Sequence, residues 1–178
     1  AYSSIGRIGY VLAGLSTGSN EGIQSSILYI SIYIVMNFAL FSCLFMMKRN
    51  DHYFESIEDL SGLSKNHPLL SLSLLVILFS LAGIPPLAGF FAKLYVFKAV
   101  IEQSMYFLAI VGLLSTVIAA FYYLKIIKII YFDEAKEKYD LDHSIWLRLS
   151  LTLSTLLILL YFIYPSKLIE IVSKINII

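Results

Sequence analysis

Lys93 stands in PLLSLSLLVILFSLAGIPPLAGFFAKLYVF (68–97), where only Ser, Gly and Pro interrupt the apolar run before it. A charged amine at membrane depth costs about 2.5–3.5 kcal/mol on insertion scales, so it is rare there and points to function. Burial disfavours its charged form, and a poised amine takes and releases a proton as its surroundings change. The competing reading is snorkelling, in which a long side chain near a helix end reaches the interface. Lys98 suits that reading, whereas Lys93 lies deeper, among Phe90, Phe91, Tyr95 and Phe97. A helix breaker, Gly83-Ile84-Pro85-Pro86, precedes the lysine. An interrupted helix beside a buried amine suggests ion or proton handling.

Other polar residues in apolar surroundings leave two readings open. Ser73 and Ser80 are seven residues apart on one helical face. They line a wet path to the break, or serve ordinary helix packing. Ser3, Arg7, Tyr10 and Gly14 recur at i, i+4, i+7 and i+11 as one polar stripe. Arg7 either organises a water chain or carboxylate partner, or snorkels to the interface. Asn37, near the middle of its segment, suits an interhelical hydrogen bond worth about 0.6 kcal/mol, or a transport role. Lys125 and Lys128 sit beside Tyr122 and Tyr123 in FYYLKIIKIIYF. An aromatic–basic interfacial belt explains them, and Lys125 is also a relay candidate. The loop RNDHYFESIEDLSGLSKNHP holds Glu55, Glu58, Asp59 and His67 without metal-ligand spacing, and suits a short amphipathic helix near 55–63. His52 and His143 fall in polar loops. No phosphate-binding or nucleophile motif occurs in the chain.

The elements that position these groups follow from composition. Hydrophobic residues are 59% and charged residues 14% of the chain, with mean hydropathy +0.83. Soluble domains run at roughly 45–50% apolar and about 25% charged. The reading is an all-α integral membrane protein, a single membrane domain over 1–178. Five spans are expected, near 1–17, Ser25–Met47, Pro68–Ile101, Ser104–Phe132 and Ser144–Tyr164. The third has 34 residues, roughly 50 Å as one helix, against about 40–45 Å of bilayer. Tandem prolines force a break, so it is expected as two half-helices joined irregularly at Gly83–Gly89, around Gly83, Pro85, Pro86 and Gly89. Such backbone survives only under protein or water cover.

Charge sets the orientation. Lys48, Arg49 and Lys65 follow the second span; Lys125, Lys128, Lys136, Lys138 and Arg148 surround the loop after the fourth. Both loops are therefore expected on the inner side. Lys167 and Lys174 weaken the asymmetry without reversing it. The lone Cys43 excludes an internal disulfide, and the net charge of +1 argues against nucleic-acid binding. The start lacks Met and a signal sequence, which suggests the C-terminal part of a larger protein.

Three strings carry a family resemblance: AYSSIGRIGY, IEDLSGLSKNHPLL and FSLAGIPPLAGFFAKLYVF. They resemble the subunit 2 (N subunit) family of respiratory complex I, the proton-pumping NADH:quinone oxidoreductase. The last string is specific for antiporter-like membrane subunits, and the DLSGLSKNHP loop favours subunit 2. The likeness weakens after about residue 133. It implies the last five helices of a fourteen-helix fold, with Lys93 on the second broken helix near the exit side of a proton path. The resemblance implies that this position is usually histidine, where this chain has Arg7. Arginine is effectively always protonated, so Arg7 would supply fixed charge instead of a shuttle.

The implied function is proton translocation within NADH:ubiquinone reductase, with no redox site in this chain. Flavin mononucleotide, iron–sulfur clusters and quinone would belong to other subunits. No metal is expected. Partners would be other membrane-arm subunits, a separate N-terminal part of the same subunit, and lipid. The alternatives are an Mrp-type cation/proton antiporter subunit and a purely structural membrane-arm piece. Residue usage, rich in Ile, Leu, Ser, Tyr, Phe and Lys, suits an AT-rich genome. It leans toward the mitochondrial inner membrane, with a bacterial plasma membrane as the alternative.

Overall fold

The computed structural model describes residues 2–49, 52–53, 56–135, 140–141, 144–163, and 168, 170 and 172. Glu55, Lys136, Lys138, His143, Tyr164, Lys167 and Lys174, named above, lie outside the described residues. The rest is mostly helical: α1 (Tyr2–Leu15), α2 (Asn20–Met46), α3 (Leu63–Asn66), α4 (Pro68–Ala82), α5 (Ala88–Glu102), α6 (Tyr106–Phe132) and α7 (Ile145–Leu160). Helices α2 and α6 have 27 residues each, about 40 Å of helix. Both are long and apolar enough to cross a bilayer, while α4 and α7 are apolar but shorter.

Local signals set the ends. Helix α2 starts at Asn20 and not at Ser25, because the Ser19 hydroxyl accepts from the Gly22 N–H at 3.1 Å and Glu21 lies in the first turn. Helix α6 starts at Tyr106 because Ser104, with φ of 58°, turns the chain. The amphipathic helix expected near 55–63 is instead a 3-10 turn, Ile57–Leu60, followed by α3. Ser56 and Asp59 cap that turn reciprocally. The Gly62 N–H then donates to the Ile129 carbonyl at 3.0 Å, fastening the loop to the end of α6.

A small antiparallel sheet joins the two basic loops on one face. Strands β1 (Met47–Arg49), β2 (His52–Tyr53) and β3 (Asp140–Leu141) lie in the order β2-β1-β3, with Lys48 opposite Tyr53 and Met47 opposite Leu141. Two or three residues carry no readable alternation, so a purely helical reading misses this sheet.

Helix α2 is central, packing on α7, α5 and α1, while α4 packs on α6. Met36, Ala39 and Cys43 of α2, Ile77 of α4, and Ala92 and Val96 of α5 are buried together. Helix α6 turns Phe107, Leu114, Val117, Ile118 and Phe121 outward. So large an apolar surface suits lipid or further protein, not water.

The segment expected as the third span comprises α4 and α5, with Gly83–Leu87 between them. Gly83 has φ of 88° and ends α4. Its N–H reaches the Ser80 carbonyl and the Ile84 N–H reaches that of Phe79, each at 3.0 Å. This is a Schellman closure, which glycine permits because it lacks a Cβ. The Pro85–Pro86 bond is cis. Gly89 is not part of the irregular joint. It lies in the first turn of α5, where its N–H donates to the Ser80 hydroxyl at 3.0 Å. Leu87 offers no side-chain cap, so Ser80 serves α5 from the neighbouring helix.

Candidate functional site

The break exposes two acceptors. In an unbroken helix, the N–H groups of residues 85 and 86 would return to the carbonyls of Leu81 and Ala82. Pro85 and Pro86 have no N–H to give. The Schellman bonds serve only Phe79 and Ser80. Lys93 takes the open pair: its Nζ donates to the Ala82 carbonyl at 3.0 Å and the Leu81 carbonyl at 3.4 Å. The amine also sits 5.5 Å from the centre of the Tyr10 ring, a cation–π position. Lys93 is 5% exposed. The negative end of α4's dipole faces it, a favourable term for a cation. Gly83 leaves room for this stem, since a Cβ there would lie 3.0 Å from Nζ.

Arg7 is the second cation, also 5% exposed. Its Nη2 donates to the Leu81 carbonyl at 3.1 Å and to the Tyr123 hydroxyl at 2.6 Å. Its Nε donates to Ser3 Oγ at 3.2 Å, and Ser3 is hydrogen-bonded to Tyr123. The guanidinium lies 5.4 Å from the Tyr33 ring centre and 5.5 Å from that of Tyr123. Arg7 and Lys93 share the Leu81 carbonyl, which brings two positive groups into one apolar interior. Like charges repel more strongly in a protein interior than in water. A proton on Lys93 is therefore held by carbonyls against a fixed positive neighbour.

Both cations border a cavity of about 200 Å³ lined by Ser3, Gly6, Tyr10, Ser115, Ala119 and Tyr122 among others. That space has room for several waters, each occupying about 30 Å³ in the liquid. Tyr10 extends the polar wall, bonding Ser115 Oγ at 3.0 Å and Thr116 Oγ1 at 2.7 Å. The Tyr29 hydroxyl is buried close to Arg7.

The stripe of Ser3, Arg7 and Tyr10 thus borders the cavity, while Gly14 sits against Ser26 and Gly22 of α2. Ser80 is fully buried, accepting from Gly89 and donating to Met36 Sδ at 3.1 Å. Ser73 is not brought to the cavity and bonds back to Leu69 of its own helix at 3.1 Å. Asn37 lies in a separate groove between α2 and α7. Lys125 is exposed and lines a cleft with Ser3, Glu58 and Tyr123. Lys98 is exposed and pairs with Glu102 at 3.7 Å. Ser115 and Thr116 are residues the sequence reading misses, and Tyr123, read there as part of an interfacial belt, instead bonds Arg7. Their signal is a small-and-hydroxyl stripe on α6, with Gly112, Ser115, Thr116, Ala119 and Tyr123 at i, i+3, i+4, i+7 and i+11.

A helical apolar bundle whose polar interior is basic and centred on a helix interruption defines a membrane protein. A family profile described as NADH:quinone oxidoreductase/Mrp antiporter, TM, matches residues 1–119. The chain belongs to that family. It is 83% identical over 178 residues to NADH-quinone oxidoreductase subunit N of Pelagibacter ubique (strain HTCC1062), covering 100% of this chain and 38% of that protein. It is 46% identical over 169 residues to subunit N of Parvibaculum lavamentivorans, covering 95% of this chain and 35% of that one. The chain therefore spans little more than a third of the length of these relatives.

Among solved structures, a chain of respiratory complex I from Thermus thermophilus with bound aureothin superposes with TM-score 0.81 at 28% identity, over 95% of this chain and 38% of that one. A chain of the Mrp complex from Dietzia sp. DQ12-45-1b superposes with TM-score 0.78 at 20% identity, over 97% of this chain and 40% of that one, a likeness of fold alone. Both subunit N relatives are bacterial. The lean toward a mitochondrion finds no support in them, and a bacterial plasma membrane fits. Residue usage reports the nucleotide bias of a genome, which is common to both compartments.

Proposed function

We propose that this chain forms part of a proton-translocating membrane-arm subunit of a bacterial NADH:quinone oxidoreductase. Its five apolar units are α1, α2, the α4–α5 pair, α6 and α7, and α4–α5 acts as one discontinuous membrane helix. One observation carries the reading: Lys93 is held by the carbonyls that Pro85 and Pro86 leave without donors, beside a hydroxyl-lined cavity. Deprotonated, the amine loses most of its hold on those carbonyls; protonated, it regains them against Arg7. Such a site loads and unloads a proton as nearby charge changes. Lys93 is the relay, Arg7 tunes it, and Lys125 stands at a peripheral station on the basic-loop face. Electron carriers, quinone and the remaining membrane-arm subunits are supplied by partner chains.

The test is Lys93→Ala in the full-length subunit within its assembled complex. Protons pumped per electron pair should fall clearly while the complex still assembles. Wild-type pumping and activity in that variant would sink the proposal and leave a structural role. The family description also covers Mrp antiporters, which gives a second reading. Sodium-dependent transport by a complex lacking flavin and iron–sulfur partners would establish that reading instead.

A further inference from the structure

We infer that Tyr10 is a positioning residue for Lys93: its ring face supports the protonated amine, and its hydroxyl anchors that ring and relays no proton. This inference rests on the relay reading of Lys93. A buried cation ordinarily takes a carboxylate partner. Among the described residues no ion pair to Lys93 or Arg7 occurs, and ring faces stand in that place. Lys93 Nζ lies over Tyr10, 5.5 Å from the ring centre, as Arg7 lies over Tyr33 and Tyr123. The face of an aromatic ring is its negative pole, and its attraction for a cation grows when both leave water. Tyr10 and Lys93 are both buried.

The ring is fixed from three sides. Phe97, one turn beyond Lys93 on α5, meets it edge-on with the ring centres 5.8 Å apart. Tyr29 of α2 lies at 5.6 Å, tilted by 46°. The Tyr10 hydroxyl reaches α6, at 2.7 Å from Thr116 Oγ1 and 3.0 Å from Ser115 Oγ. Gly112 makes room for this packing, since a Cβ there would lie 2.6 Å from the Phe97 ring.

The hydroxyl hydrogens decide what Tyr10 does. Ser115 and Thr116 each have one, and both donate to the Gly112 carbonyl, at 2.7 and 3.1 Å. Their oxygens are left as acceptors, so the Tyr10 O–H is the donor to α6. Among the described residues the hydrogen bonds of Lys93 go to carbonyls. Tyr10 therefore turns its hydrogen toward α6 and its ring face toward the amine. A neutral amine has no comparable attraction to that face. The contact acts on the loaded state of the relay and leaves the unloaded state alone.

The test is made in the assembled complex, with the full-length subunit. Tyr10→Phe keeps the ring face and should retain most of the protons pumped per electron pair. Tyr10→Leu keeps apolar bulk without the face, and should lower pumping about fivefold with the amount of complex on native gels unchanged. Phenylalanines carrying one, two or three fluorines, incorporated at position 10, drain the negative face stepwise with little change in size. Pumping should fall with each fluorine, a dependence that a packing role does not produce. A flat fluorine series, wild-type pumping in Tyr10→Leu, or equal loss in Tyr10→Phe and Tyr10→Leu overturns the inference. Should Tyr10→Leu fail to assemble, the fluorine series decides. Normal pumping in Lys93→Ala removes the relay reading and the role of Tyr10 with it. Defective pumping in Lys93→Ala beside a flat fluorine series leaves the relay standing and strikes Tyr10 alone.

Discussion

Arg7 and Lys93 share one carbonyl, that of Leu81, and the closeness of the two cations defines the residue-scale chemistry. Arg7 uses two nitrogens on three partners: Ser3, Leu81 and Tyr123. Among the described residues no ion pair to either cation occurs. A carboxylate introduced here would neutralise the repulsion and trap the proton on Lys93. Arg7→Glu should therefore lower pumping at least tenfold with the complex assembled. Arg7→His, the residue that the resemblance implies at this position, should retain most activity. Proton uptake and electron transfer measured together check both. Lys93 is legible in the sequence because one charge in an apolar run stands out. Tyr123 is not, because its partner Arg7 is 116 positions away, and Tyr–Tyr–Leu–Lys near a helix end reads equally as an interfacial belt.

At the scale of elements, the joint depends on two glycines of different kinds. Gly83 needs its left-handed conformation, and its missing Cβ leaves space for the flexible Lys93 stem. Alanine there costs about 1–2 kcal/mol of backbone strain and presses on the amine. Gly89 instead faces backbone: its Cβ would overlap the Ser80 carbonyl, which cannot step aside. Gly83→Ala should yield assembled complex with reduced pumping, whereas Gly89→Ala should yield little complex, as native gels of solubilised membranes would reveal. The existence of a break is readable from tandem prolines and excess length. Its extent is not, since only the fold shows the Gly89 N–H already engaged in α5. Strands of two or three residues are equally invisible, because pairing, not pattern, creates them.

At the scale of the molecule, depth in the bilayer sorts the exposed apolar residues. Phe121 lies well inside α6 and Phe132 at its end, and both are exposed. A charge at the bilayer centre costs about 2.5–3.5 kcal/mol, while near an end it snorkels. Phe121→Arg should cut the amount of subunit in isolated membranes severalfold, and Phe132→Arg should leave it nearly unchanged. Equal tolerance at both positions would contradict the membrane placement of α6. The overall architecture is the most legible level, because composition and span length act over dozens of residues. Compartment is the least legible, because no physical force in the fold depends on it.

Ser80 finally acts as a clutch between two shafts. While its hydroxyl holds Gly89, the axis of α5 and the grip on Lys93 turn as one piece. Releasing a neutral hydrogen bond costs about 1 kcal/mol net, though α5 stays packed on α1 and α2. A tilt of α5 would part the amine from Leu81 and Ala82. Under the proposed relay role of Lys93, helix angle and proton affinity would then change together.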